Sequence, residues 1–162
     1  GRDWQCGTIQ VDLNLPPRLS ANYVDKDGAK RHPVMIHRAF FGSLERFIGI
    51  LIENYAGKLP YWLTPTQVVI ININDDCLPY AKKVHEKLKK NNIRSFMDDR
   101  NEKMNYKIRE HNHKKIPFMV VIGNNEINDG TVSLRTQETN SQEILELDKF
   151  ILKIQKLCSL KY

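Results

Sequence analysis

The sequence has few cysteines, no long apolar run and no leader-like start. Its three cysteines, Cys6, Cys77 and Cys158, form no CxxC pair and are odd in number, which argues against a disulfide framework and fits a reducing cytosol. No uninterrupted apolar stretch approaches the roughly 20 residues of a membrane span. The first ten residues contain no Met and no signal-peptide pattern. We therefore expect a cytoplasmic protein without a membrane partner, and a chain that is part of a longer one.

The sequence does contain enough apolar residues for a core and a local excess of positive charge. Hydrophobic residues make up 41% of the 162 residues, too many for general disorder. The net charge is +6, and between Lys82 and Lys115 there are 12 Lys and Arg against 5 Asp and Glu, a surplus of 7. Such a surplus favours a polyanionic partner. A solvated, lysine-rich helix face explains it equally well.

The first part of the chain predicts a strand, a hairpin and a helix. The strand is expected at Cys6–Leu13. The hairpin is expected from Asn22–Val24 and Pro33–Arg38 around a turn at Asp25–Gly28. Apolar residues then recur at helical spacing from Ser43 to Tyr55, which predicts an amphipathic helix with Ser43 as its N-cap.

A domain boundary is expected at Leu59 to Pro65, where prolines and bulky aromatics interrupt the pattern, so that the domains span 1–60 and 64–162. Beyond it the elements alternate. Strands are expected at Val68–Ile73, Ile93–Met97, Phe118–Ile122 and Thr131–Thr136, and helices at Pro79–Asn91, Asn101–His113 and Ser141–Leu157. With 124–130 taken as a turn, the order is βαβαββα. This order predicts an α/β fold, a mixed sheet with helices packed on it.

Two positions in the first part suggest chemistry. Arg46 lies opposite the apolar stripe of its helix, and Gly42 and Gly49 flank it, which leaves room for a nucleotide phosphate or base to approach the guanidinium. The alternative is a surface arginine beside two incidental glycines. His37 ends a strand, where a lone histidine is more often a hydrogen-bond partner than a metal ligand. Zinc needs about four ligands, and no Cys/His cluster has that spacing.

Several residue strings resemble one enzyme family. Trp4–Gln10 (WQCGTIQ), His37–Ala39 (HRA) and Gly42–Gly49 (GSLERFIG) are similar to the end of the catalytic domain of threonyl-tRNA synthetases. The glycine and the Arg-Phe pair of GSLERF form motif 3 of class II synthetases, which marks only the class, whereas WQCGTIQ together with HRA points to threonine. The resemblance covers almost the whole chain and continues through PTQV, DRNEK, KIREH and VSLRT.

The resemblance implies roles for residues of the first part. Arg46 matches the motif 3 arginine, the catalytic residue that holds ATP and neutralises charge during adenylate formation. Thr8 and Gln10 match residues near threonine, although two polar positions on a half-exposed strand would look the same. Gln5 and Ser43 match residues near the nucleotide or the amino acid.

The resemblance also implies a zinc ion. His37 matches the third protein ligand of the family's active-site zinc, and the other two ligands, a Cys and a His, would lie upstream of Gly1. Threonine would complete the coordination through its amino and hydroxyl groups. Valine has a methyl group where threonine has the hydroxyl, so it cannot coordinate zinc in the same way. The metal would therefore distinguish threonine from valine, which an apolar pocket cannot do.

The second part is expected to be an anticodon-binding domain. Asn101, Glu126 and Arg135 match positions that read anticodon bases, and such groups can bond the edges of splayed bases. Asn101 as a helix cap and Glu126 as a turn residue are the simpler alternatives. Lys103, Lys107 and Lys114 fall on about one helical face and are expected to contact phosphates.

The expected function is that of the C-terminal part of a threonine–tRNA ligase. The full-length enzyme would be a homodimer that activates threonine with ATP and Mg and transfers it to threonine tRNA. Since motifs 1 and 2 and two zinc ligands are not in this sequence, the chain is expected to bind RNA without catalysing. The alternatives are a prolyl- or histidyl-type class II synthetase and a non-catalytic RNA-binding protein that retains an anticodon-binding module.

Overall fold

The computed structural model describes residues 2–137 and 141–159. The chain divides into two compact units, Gly1–Asn54 and Tyr55–Tyr162, here called the first unit and the second unit. Among the described residues, no helix is both long enough and apolar enough to cross a membrane.

The first unit contains two small antiparallel ribbons and one longer helix. Its elements are β1 (Gly7–Asp12), α1 (Leu15–Arg18), β2 (Tyr23–Val24), β3 (Lys30–Arg31), β4 (Met35–Phe40) and α2 (Leu44–Asn54). Strand β1 pairs with β4 and β2 pairs with β3. The prolines after β1 occupy the first turn of α1, where a missing N–H costs nothing.

The predicted hairpin has the right turn but the wrong second strand. Strand β2 pairs with Lys30–Arg31, and not with Pro33–Arg38. The guanidinium of Arg31 lies 2.8 Å from the carboxylate of Asp25 and 2.7 Å from that of Asp27, which closes the ribbon. Pro33 has no N–H to continue the ladder, so the chain leaves the ribbon there, and β4 pairs with β1 instead.

Helix α2 matches the predicted helix, but its apolar stripe stays exposed. Leu44, Ile48 and Ile52 are all exposed, and no residue of α2 is buried. In the described part of the first unit, Pro16 is the only buried residue. Two ribbons and one helix with so little burial lack the core that an independently stable domain needs.

The second unit is an α/β layer structure. Its strands are β5 (Val68–Asn72), β6 (Ser95–Asp98), β7 (Phe118–Ile122), β8 (Thr131–Thr136) and β9 (Gln142–Glu146). Its helices are α3 (Leu78–Lys90), α4 (Met104–His113), α5 (Asn124–Asp129) and α6 (Leu147–Cys158), with a 3-10 turn at Asp75–Cys77 before α3. The sheet order is β6-β5-β7-β8-β9. Strand β5 runs parallel to β6 and β7, while β8 and β9 add antiparallel pairs. The predicted mixed sheet is confirmed.

The order of elements differs from the predicted βαβαββα at two places. The segment expected to be a turn is helix α5, and the carboxylate of Glu126 accepts the N–H of its N-cap residue, Gly123, at 2.9 Å. The predicted helix from Ser141 begins only at Leu147, and strand β9 precedes it. In β9, Leu145 lies opposite Val132, a core residue of β8, so pairing with β8 outweighs local helix preference.

Two apolar layers sandwich the sheet. One layer is formed by α3, α6 and the sheet face that carries Val68, Ile70 and Val120. The other is smaller and consists of Val69, Ile71, Ile116 and Met119, with Ile108 of α4 packed against it. Helix α4 therefore lies on the opposite face of the sheet from α3. The crossover from β5 to β6 through α3 and the crossover from β6 to β7 through α4 run in opposite directions across the sheet, so right-handed connections place the two helices on opposite faces.

The segment expected to be a connector is bound to the second unit. The guanidinium of Arg94 donates to the carbonyls of Trp62 at 2.7 Å and Thr64 at 2.9 Å. The amide of Gln67 donates to the carbonyl of Tyr61 at 3.0 Å, and the Tyr61 ring packs on Phe118. These bonds make Tyr61 to Thr64 an integral part of the second unit.

Candidate nucleic-acid interface

Arg135 lies on β8 with its side chain on the α4 face of the sheet. Its neighbours Val132 and Leu134 point into the opposite layer and are buried, as predicted. One guanidinium nitrogen, Nη2, donates to Oε1 of Gln142 on β9 at 3.1 Å. The Nε atom is buried and has no hydrogen-bond partner within the described residues. The half-buried guanidinium is thus held by packing and by one bond, and it retains donors for a ligand.

Glu126 lies in the first turn of α5 and is half-buried. One carboxylate oxygen, Oε2, accepts the Gly123 N–H. A Cβ on Gly123 would come within 2.8 Å of the Ile73 side chain, so this turn accepts only glycine without a shift. Glu126 therefore has a structural task, and its proposed contact with a base has to use the carboxylate's remaining acceptor positions.

Asn101 lies in the loop between β6 and α4 and is exposed. Helix α4 begins at Met104 with Lys103 at the capping position, so Asn101 is not the N-cap that the sequence suggested. Its side chain makes no hydrogen bond in the part of the chain that the structure describes. The amide is therefore available to a ligand.

An ionic cluster, made of the buried residues Asp98, Lys107 and His111 and the exposed Arg100, holds this loop. The Asp98 carboxylate accepts from Arg100 Nε at 2.8 Å and Nη2 at 2.7 Å, and lies 2.7 Å from His111 Nε2. The Lys107 ammonium donates to the Asp98 carbonyl at 3.0 Å. The Arg100 bonds hold the pKa of Asp98 well below its usual range, with His111 adding to the effect. Arg100 also bonds Glu110 of α4 at 2.8 Å, so both ends of the 98–103 loop are fixed.

The three lysines expected to contact phosphates occupy different environments. Lys107 is only 1% exposed and points into the ionic cluster, so in this structure it cannot reach a phosphate, and that prediction is corrected. Lys103 is exposed. Lys114 is exposed but bonds Glu110 at 2.5 Å, which partly neutralises it. Of these three lysines, only Lys103 is both exposed and without an ion-pair partner among residues 2–137 and 141–159, as the prediction requires.

In the first unit, the β1–β4 ribbon brings together three of the predicted site residues. Gln10 lies directly opposite His37, and Thr8 lies opposite Ala39. Thr8 and Gln10 share one face of β1 because side chains alternate along a strand. Gln10 and His37 line an open groove of about 740 Å³.

His37 has one acidic neighbour. Its Nε2 lies 3.2 Å from Oδ2 of Asp12, whose other oxygen accepts the N–H groups of Asn14 and Leu15. These backbone bonds, that of Leu15 first, lower the pKa of Asp12. Within residues 2–137 and 141–159, no three His, Cys, Asp or Glu side chains converge as a metal site. The residues present do not hold zinc by themselves, and His37 as one ligand of three stays a prediction.

The start of α2 places the other predicted residues. Ser43 Oγ accepts the Arg46 N–H at 3.3 Å, the N-cap interaction that the sequence predicts. Gly42 has φ +68°, and a Cβ there would lie 3.0 Å from the carbonyl oxygen of Gln5, so this glycine lets Gln5 approach the cap. The Arg46 side chain is exposed and makes no hydrogen bond or ion pair with the described residues.

Comparison with known families places both units. Residues 67–157 match the model described as "Anticodon binding domain". The chain belongs to the anticodon-binding domain family. Residues 1–55, ahead of this anticodon-binding domain, match "tRNA synthetase class II core domain (G, H, P, S and T)". The two matches agree with the class II and anticodon-binding expectations from the sequence.

Relatives of this anticodon-binding domain protein are threonine–tRNA ligases. The threonine–tRNA ligase of Pelagibacter ubique (strain HTCC1062) is 58% identical over 151 residues, which are 93% of this chain and 24% of the relative. The crystal structure of the RNA binding domain of threonyl-tRNA synthetase from Cryptosporidium parvum Iowa II superposes with a TM-score of 0.81 at 40% identity, covering 99% of this chain and 41% of that one. The family resemblance is thus confirmed, and the chain spans about a quarter of the length of the curated relatives it matches.

A third comparison shares the fold alone. Prolyl-tRNA synthetase from Cryptosporidium parvum, crystallised with halofuginone and AMPPNP, superposes with a TM-score of 0.68 at 22% identity, over 95% of this chain and 33% of that one. The prolyl-type alternative is therefore not favoured over the threonyl type.

Sequence reasoning missed the ionic cluster of the anticodon-binding domain. The signal was present: Asp98 ends strand β6 and Arg100 follows it, and Lys107 and His111 lie four residues apart on the next helix. Residues at this spacing share one helix face, and the Ile108 beside them packs inward. A lysine next to an apolar face and downstream of a strand-end carboxylate is a candidate for burial.

Proposed function

We propose that this chain is the C-terminal part of a threonine–tRNA ligase and that its main contribution is recognition of the tRNA anticodon. The observation that carries the proposal is the threonine-type pair of strings, WQCGTIQ and HRA, on facing strands with Gln10 opposite His37, ahead of an anticodon-binding domain. The threonine–tRNA ligase relatives support it. The full-length enzyme would be cytoplasmic and dimeric.

The full-length enzyme would join threonine to ATP, release pyrophosphate and pass threonine to the terminal adenosine of threonine tRNA. Arg46 would neutralise phosphate charge, since its exposed guanidinium has no ion-pair partner among the described residues and Ser43 fixes the helix turn beneath it. Thr8, Gln10, Gln5 and Ser43 would bind or orient threonine and the nucleotide, with Mg accompanying ATP.

His37 would be one of three protein ligands of zinc in the full-length enzyme. The chemistry that zinc supplies is coordination of an amino and a hydroxyl group, which valine cannot match. In this chain the Asp12 carboxylate lies beside the His37 ring and would orient the imidazole as an outer partner.

Anticodon recognition would combine base contacts with phosphate contacts. Asn101, Glu126 and Arg135 offer an amide, a carboxylate and a guanidinium, which suit base edges. Lys103 supplies attraction to phosphates. The experiment that tests this division of labour is a pair of RNA-binding titrations, one with Arg135→Ala and one with Lys103→Ala.

The 162-residue chain on its own is expected to be catalytically silent. Motif 2 and two zinc ligands are outside this sequence, so Arg46 would have no second cation to hold ATP with it. The measurement is threonine-dependent exchange of pyrophosphate into ATP, with a full-length threonine–tRNA ligase as positive control. Exchange above background by the purified chain would refute the expectation. A parallel zinc titration is expected to show no tight stoichiometric site.

Limited trypsin digestion is expected to remove the first unit and leave the second. The first unit buries almost nothing by itself, whereas Tyr61 to Thr64 are hydrogen-bonded to the second. The sequence alone placed the start of the resistant core near residue 64. The structure instead favours a fragment that starts at Phe47 or Leu59, after cleavage at Arg46 or Lys58. Intact-mass spectrometry over a time course reads this directly. Loss of both units at the same rate would contradict the boundary.

A further inference from the structure

A basic groove lies at the end of α4 in the second unit, on the sheet face that carries Arg135. Four basic residues line it, Lys58, Arg109, His113 and Lys115, together with Asn112 and Gln137. Its volume is about 500 Å³. The groove is wide and open. This shape suits an extended nucleic-acid backbone better than a small ligand that has to be buried.

Hydrogen bonds hold the walls of the basic groove in place. The Gln137 side chain donates to the Asn112 carbonyl at 2.9 Å, and the Gln137 N–H donates to the Pro117 carbonyl at 3.1 Å. The Lys115 N–H donates to the Asn112 carbonyl at 3.1 Å. This turn follows the end of α4, and the Lys115 side chain lines the groove. The groove is therefore formed before any ligand arrives.

Among the residues that the structure describes, no carboxylate compensates the charge of the basic groove. No acidic residue is among its lining residues, and Lys58, Arg109 and Lys115 make no ion pair within the described parts of the chain. Elsewhere on this unit, Lys87 and Lys153 each contact a carboxylate. Unpaired cations that converge on one concave surface repel one another and concentrate positive potential, and a bound anion relieves both effects.

The basic groove continues the surface of Arg135. Gln137 follows Arg135 by two residues, and its N–H extends the β7–β8 ladder beyond the Phe118–Thr136 pair. Residues two apart in an extended segment share one face. A nucleic-acid strand with a base at Arg135 can therefore run its backbone along Gln137 into the groove.

We propose that the basic groove binds backbone phosphates of the RNA whose anticodon base Arg135 contacts. The inference rests on the proposed function and extends it, because it assigns phosphate contacts to Lys58, Arg109 and Lys115. These residues provide the electrostatic contact that buried Lys107 cannot.

The test is a charge reversal in the full chain, Arg109→Glu with Lys115→Glu. Its matched control is Lys82→Glu with Lys90→Glu, which changes the net charge equally on exposed positions of α3, across the sheet. Dissociation constants are measured at two salt concentrations for the anticodon stem-loop of threonine tRNA and for the same RNA with a swapped anticodon. Circular dichroism checks folding, and Arg109→Gln with Lys115→Gln is the milder variant if the reversal unfolds the chain.

The groove variant is expected to weaken the binding of both RNAs at least about tenfold at low salt and to leave their affinity ratio unchanged. The slope of log K against log salt should fall by about 1.4, the value for two lost contacts to single-stranded phosphates. The control is expected to stay within about threefold. Equal weakening by both variants would overturn the groove while leaving the proposed function intact. An unmutated chain that fails to distinguish the RNAs would instead overturn the anticodon-reading function, and the inference with it.

Discussion

Replacing Asp98 with alanine is expected to lower the free energy of unfolding of the second unit by about 3–5 kcal/mol, because it breaks a buried ionic network from its centre. The Asp98 carboxylate has no exposed surface, and Lys107 and His111 beside it are almost as buried. Without the carboxylate, the Lys107 ammonium keeps only a carbonyl partner. A buried cation that loses its counter-charge costs far more than a surface pair does.

The measurement is urea unfolding of the full chain in a Trp4→Phe background, so that Trp62 fluorescence reports on the second unit. Glu110→Gln is the matched control: Glu110 bonds the same arginine, Arg100, from a partly exposed position, and such pairs contribute about 0–1 kcal/mol. A loss below about 1 kcal/mol for Asp98→Ala would show that the network does not hold the fold.

The same network sets a pH dependence. The folded-state pKa of Asp98 is lowered, chiefly by Arg100, below the ordinary value of 3.8. The stabilisation is therefore complete above about pH 4 and declines as the pH falls toward the folded-state pKa. The difference in unfolding free energy between the unmutated chain and Asp98→Ala should therefore shrink as the pH is lowered from about 5 to 2. A difference that stays constant down to pH 2 would contradict a role for the charged carboxylate.

The sequence predicted the sheet best where burial alone decides the structure. Val68–Ile71 and Phe118–Ile122 are apolar throughout and buried at every position, so a short apolar run between turn signals was a sufficient signal. Strand β9 lacked that signal because it lies at the edge of the sheet and most of its residues are exposed. What makes it a strand is a non-local pairing with β8, which no local pattern records.

The candidate site was predictable as a set of residues but not as an arrangement. The motif strings named Gln10 and His37, and their direct opposition follows only from the β1–β4 register. For Lys107, the predicted environment itself was wrong. A lysine on a polar-looking helix was assigned to solvent, and its burial depends on Asp98 of a neighbouring strand. The contact with Asp98 explains why the Lys107 face of α4 turns toward the protein interior. The spacing of residues along α4 does not reveal that contact.

Replacing Arg135 with alanine is expected to bring the affinities for cognate and anticodon-swapped threonine tRNA stem-loops closer together. A guanidinium that donates two parallel hydrogen bonds to a guanine edge gives about 1–3 kcal/mol of discrimination, so their ratio should fall by roughly 5- to 150-fold. Gln142 and the buried neighbours Val132 and Leu134 hold Arg135 in a defined orientation, which lets it select one base over another.

The matched control is Lys103→Ala, which removes one cation from an exposed position at the start of α4. A flexible ammonium attracts every phosphate alike, so this variant should weaken both RNAs by the same factor and reduce the salt slope by slightly less than one. Titrations at two salt concentrations separate the two behaviours. If Arg135→Ala weakened both RNAs equally, Arg135 would act as one more phosphate-binding cation, and base reading would have to rest on Asn101 and Glu126. If the unmutated chain bound both RNAs equally well, general RNA binding would be the better account of this domain.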